Sequence, residues 1–148
     1  MMKKQIVLIS LIFLTHCGFS PIYIKNTNTN FSIENVSYEG DRDLNNFFKT
    51  NLDQYKSEKY NRKILIETTS DYEKIVLTKN TAIEVTNYKL IAKVTFLIKS
   101  TNKKINITEE KIINSVNDKF EESRKERAAK QNFARSISNK LISELVID

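Results

Sequence analysis

The chain has 148 residues, with 24 basic against 18 acidic side chains, one histidine, one cysteine, two glycines and one proline. That length suits one domain around one core. His16 and Cys17 both sit in the N-terminal segment, so the rest of the chain offers no Ser-His-Asp or Cys-His catalysis and no His- or Cys-based metal site. Gly18 and Gly40 alone cannot build a glycine-rich phosphate loop.

The elements follow in chain order. Lys3 and Lys4 precede an apolar run from Ile6 to Leu14. A bilayer span needs roughly 20 apolar residues, whereas a secretory h-region takes about 7–15, so residues 1–16 read as a signal peptide. Cleavage before Cys17 would remove two lysines, leaving 22 basic against 18 acidic residues, a net charge of +4. The lone thiol cannot form an internal disulfide but can carry lipid. Residues 17–30 then read as a lipidated N-terminus and tether, polar from Lys25 to Asn30. Residues 31–148 read as a single α+β domain.

A first strand is expected from Phe31 to Tyr38, bulged or short because its apolar residues do not share one parity. Gly40 closes it, and Asp41 or Asp43 can cap a helix. Leu44, Phe47, Phe48, Leu52 and Tyr55 mark one face of a helix over 43–58. Residues 62–70 read as a strand, with Tyr72 to Thr78 continuing it past a bend near Ser70-Asp71. The run from Ala82 to Ser100 alternates most clearly. Tyr88, Leu90, Ala92, Val94, Phe96 and Ile98 point one way, and Lys89, Lys93, Thr95 and Lys99 point the other, with Ile91 and Leu97 among them. Thr101-Asn102-Lys103 turns the chain, and Ile105 to Asn114 returns. Ala129, Phe133, Ile137, Leu141 and Leu145 recur every four residues in a last helix over 119–146, whose start is mostly charged. Arg124, Lys125, Arg127 and Lys130 there suit a solvated face or one projecting beyond the sheet.

The order β-α-β-β-β-α gives an α+β two-layer sandwich. Two helices lie on one face of a four-stranded, mainly antiparallel sheet.

Leu14-Thr15-His16-Cys17 resembles the lipobox of bacterial lipoproteins, with His16 where that pattern has a small residue. The resemblance implies lipid on Cys17, and several acyl chains are what make such an anchor durable. Gly18 stands where an inner-membrane retention signal would place Asp, which implies the outer membrane, periplasmic side. Cys17-Gly18-Phe19-Ser20-Pro21-Ile22-Tyr23 resembles the opening of the LPS-assembly lipoprotein family LptE. That resemblance implies a plug and assembly factor for an LptD-type outer-membrane β-barrel, acting in lipopolysaccharide transport without enzymatic activity or cofactor. Phe19, Pro21, Ile22 and Tyr23 would then pack on the barrel wall, on the domain or against the membrane. The alternative is a periplasmic-facing lipoprotein that binds a small ligand or peptidoglycan. The modest basic excess suits anionic lipid or an acidic protein better than nucleic acid in an exported protein, and it also suits plain solubility. Lys89, Lys93 and Lys99, with Lys103 and Lys104 at the turn, are the candidate contacts for lipopolysaccharide phosphates or acidic barrel residues. An ordinary solvated sheet face is the competing reading.

Overall fold

Gly40 ends the first strand and makes the first sharp change of direction. The computed structural model describes residues 30–147, so the expected signal peptide, Cys17 and the expected tether through Thr29 lie outside the described residues. Strand β1 (Phe31–Gly40) leads through Asp41 into helix α1 (Arg42–Leu52) and a 3-10 turn (Asp53–Tyr55). Strands β2 (Arg62–Lys79), β3 (Val85–Ile98) and β4 (Lys103–Asn114) follow, and helix α2 (Lys119–Ile147) closes the chain.

The sheet order is β1-β2-β3-β4. β1 pairs parallel with β2, while β2–β3 and β3–β4 are antiparallel hairpins. The parallel pair follows from the connection, because a helix carries the chain back to the start of the sheet. The expected bulge in β1 lies between Ile33 and Asn35. It restores parity, so Phe31 and Ile33 before it and Val36 and Tyr38 after it all reach the core.

Gly40 has φ +98, and a Cβ there would sit 1.7 Å from the Ser70 carbonyl oxygen. Only glycine fits both the torsion and the contact. Asp41 follows as N-cap, its side chain accepting from the Leu44 N–H at 2.9 Å.

Alternation on β3 places Leu90, Ala92, Val94, Phe96 and Ile98 under the helices. α1 contributes Leu44, Phe48 and Leu52, and α2 contributes Ala129, Phe133, Ala134, Ile137, Leu141, Ile142 and Leu145. Phe48 meets Phe96 edge to face, with ring centroids 5.8 Å apart.

Several boundaries differ from the expectation, and β3 is one, running Val85–Ile98 rather than Ala82 to Ser100. α1 stops at Leu52 and tightens into the 3-10 turn instead of running to residue 58. β2 passes through Ser70-Asp71 unbroken, and its irregularities lie between Val76 and Lys79. Lys103 belongs to β4 rather than to the turn.

Candidate partner-binding face of the sheet

Pairing registers place each lysine of interest. Lys89 and Lys93 stand on the sheet face away from the helices, as do Ile91 and Leu97. Lys104 lies opposite Leu97 on that same outer face. Lys103 lies opposite core residue Ile98, on the helix side, with its ammonium 3.6 Å from Glu144 of α2. The five lysines therefore do not form one patch.

Nor is the outer face uniformly basic. Lys89 pairs with Glu110 at 2.7 Å, Lys99 with Glu67 at 2.6 Å, and Lys93 with Glu73. Two of these pairs run diagonally across neighbouring strands. Lys93 stands opposite Asp71 yet bonds Glu73, and Lys89 stands between Ile75 and Ile112 yet bonds Glu110. Glu73 and Glu110 are the register partners of Ile91. The two bridges thus close over Ile91, which is only 7% exposed although it faces away from the core. The aliphatic stems of the lysines cover it while their charged ends stay wet. The bond to Lys93 also holds the Glu73 carboxyl below its usual range. Lys104 is exposed and forms no ion pair among the described residues.

Sequence reasoning missed these acidic partners because it read each strand alone. The alternation in β3 showed its lysines, but the carboxylates come from β2 and β4, and only the registers bring them together.

The helix side holds a second charged group that the sequence reading left as solvated helix. Lys74 reaches Glu122 at 2.9 Å and Glu126 at 3.0 Å. Its ammonium also lies 4.3 Å from the Tyr88 ring centroid. Glu122 is 5% exposed and accepts from the Ser115 hydroxyl at 3.2 Å. The Lys74 hydrogen bond, against opposing burial, holds the Glu122 carboxyl below the usual range. Burial would lower Lys74, but Glu122 and Glu126 raise it overall. Lys130 is 8% exposed, bonds Asp41 at 2.9 Å and Asp43 at 3.4 Å, and caps the Tyr72 ring at 4.1 Å. Arg127 lies over the Phe47 ring at 5.8 Å, and Arg124 pairs with Glu121 at 3.3 Å. Glu122, Glu126, Arg127 and Lys130 thus clamp the start of α2 onto β2 and α1, while Arg124 and Lys125 lie on the solvated face that was expected. Burial, then Glu126, pushes the Tyr72 phenol far above its ordinary range.

The β2–β3 hairpin extends past this clamp. Ile75, Val76, Leu77 and Ile83 are exposed there, as is Ile112 of β4 opposite Lys89. Asn80 organises the tip, its side-chain oxygen accepting from the Ala82 and Glu84 N–H groups, both at 2.9 Å. Ile83 adopts φ +65 and is 75% exposed. Among the described residues no group of three or more His, Cys, Asp and Glu is gathered for a metal ion. No described helix is long and apolar enough to cross a membrane.

No family model and no curated protein matches the chain. Solved structures do. The rare lipoprotein B from Shewanella oneidensis is 10% identical with a TM-score of 0.53, covering 74% of this chain and 92% of that one. A minor lipoprotein from Acinetobacter baumannii is 20% identical with a TM-score of 0.51, over 74% and 92%. An uncharacterized lipoprotein B from Nitrosomonas europaea is 9% identical with a TM-score of 0.53, over 79% and 85%. At these identities the likeness shows the fold. The chain is a two-layer α+β protein with the architecture of these solved lipoproteins.

Proposed function

We propose that this protein is a lipid-anchored outer-membrane lipoprotein that plugs an LptD-type β-barrel and assists lipopolysaccharide transport to the cell surface. The observation that carries the reading is the fold shared with solved lipoproteins across nearly their whole length. It joins the lipobox-like Leu14 to Cys17 and the Cys17 to Tyr23 opening, which resembles LptE. In this reading Cys17 carries the lipid and the domain works by binding, not by chemistry.

The outer sheet face suits a partner with mixed charge. Its lysine–glutamate bridges are exposed, and such pairs are worth only about 0–1 kcal/mol each, so an incoming anion can exchange them cheaply. Lipopolysaccharide phosphates would meet Lys89, Lys93, Lys99 or Lys104 in that way. Lys103, turned to the helix side at the sheet end, would contribute only at the rim.

The test is purification of the tagged chain from bacterial membranes in mild detergent. A large β-barrel protein is expected to come with it in stoichiometric amount. Recovery of the chain without any barrel partner would refute the plug.

A further inference from the structure

We propose that the open edge of β2, Asp71–Lys79, pairs two copies of this chain by antiparallel strand addition. The inference does not rest on the anchor or the barrel, and it concerns the chain while no barrel encloses it. β1 pairs with β2 from Arg62 to Ser70 and stops at Gly40. β2 continues to Lys79, and from Asp71 onward its only strand partner among the described residues is β3. The other edge is unpaired over that length.

Two hydrogen bonds set which groups face this edge. The Ser70 carbonyl accepts from the Asp41 N–H on the β1 side, and the Leu65 carbonyl accepts from the Lys99 N–H on the β3 side. Both polar groups of one residue point to the same side and alternate along a strand. Tyr72, Lys74 and Val76 therefore aim their N–H and C=O groups at the open edge. Native proteins blunt such edges with proline, charged side chains, bulges or a cover, and the bulge here lies only past Val76. Here there is no proline, Ile75, Val76 and Leu77 are exposed, and the Lys74 ammonium is drawn onto Glu122 and Glu126.

The segment is complementary to itself. An antiparallel pair centred on Ile75 sets Lys74 opposite Val76 of the second copy, and both present their backbone groups to each other. Ile75 meets Ile75 at a non-hydrogen-bonded position, where side chains approach most closely. Asp71 comes opposite Lys79. The bulge around Leu77 loosens strict register there, and the four-carbon stem of Lys79 spans the difference. The contact is isologous, as two-fold dimers require, and it continues the sheet from one copy into the other. A short strand pair falls in the small, reversible class of interfaces, below roughly 1,200 Å².

The experiment uses the full chain with Cys17→Ser, in detergent with micelles in excess, so that an introduced cysteine is the only thiol. Ile75→Cys is expected to form a disulfide-linked dimer at least about tenfold faster than Lys93→Cys, because facing Cα atoms about 4.5 Å apart satisfy disulfide geometry. Adding Asp71→Lys to Ile75→Cys should slow linking, and adding Lys79→Asp as well should restore it. Equal linking at positions 75 and 93, linking of Ile75→Cys only to other proteins, or no restoration by the charge swap would overturn the proposal.

Discussion

At the residue scale, Gly40 and Glu122 are the two positions where a single change should cost most for its size. Gly40→Ala places a methyl group against the Ser70 carbonyl and forces alanine to φ +98. The torsion alone costs about 1–3 kcal/mol, so urea unfolding should show at least that loss. Ile83 is the opposite case, an exposed β-branched residue held at positive φ. Ile83→Gly should raise stability by about 1 kcal/mol in the same assay, since left-handed torsion costs L-residues about 1–2 kcal/mol. Glu122 gives a pH signature. Its folded carboxyl binds a proton less readily than the ordinary group at 4.5. Its stabilisation is therefore complete above about pH 5 and is lost as pH falls through the lower folded value. Thermal unfolding of wild type and Glu122→Gln should differ by a constant amount at neutral pH and converge as acid protonates Glu122. Glu109 adds to the same acid limb. Burial raises its carboxyl, but the bonds from Lys140 at 2.6 Å and Ser136 at 2.7 Å hold it below the ordinary value overall.

At the element scale, α2 is both a core helix and a clamp. Leu141 is fully buried, and Leu141→Ala should cost about 2–5 kcal/mol. The start of α2 holds Lys130 between Asp41 and Asp43. Asp41→Ala removes both the α1 cap and the closer partner of a buried ammonium. It should cost more than the ~1 kcal/mol typical of a lost cap. Lys130→Met, which removes the buried charge and keeps the stem, should cost less than Asp41→Ala in denaturant melts. This clamp was not legible from helical spacing. Arg124, Lys125 and Arg127 are the exposed face that the spacing suggests, but Lys130 looks like part of it until the neighbouring elements are known. The apolar stripe from Ala129 to Leu145 was legible, as was the alternation in β3, because one buried face imposes a period on each. The end of α1 was not, since Tyr55 keeps the helical spacing although the backbone has already tightened. The continuity of β2 through Ser70-Asp71 was hidden because buried Ser70 is polar yet hydrogen-bonded, its hydroxyl donating to Asn45 at 2.8 Å.

At the scale of the whole molecule, the fold class could be read from the order of elements, whereas the charge of the outer face could not. Net basicity belongs to the whole sequence. The face itself sets Lys89, Lys93 and Lys99 against Glu110, Glu73 and Glu67. If the proposed partner docks on this face it must accept both signs, so replacing Lys89, Lys93 and Lys99 together with Glu should weaken barrel or lipopolysaccharide binding by at least about tenfold through like-charge contacts. Unchanged binding in both assays would remove this face from the interface. The proposed lipid anchor rests on Cys17 and its neighbours in the sequence, and mass spectrometry should find an acylated Cys17 at the N-terminus of the processed chain. The most direct measurement is co-purification of the tagged chain from membranes in mild detergent. A large outer-membrane β-barrel bound one to one is the expected result, and a chain that emerges from the membrane with no barrel would contradict the plug.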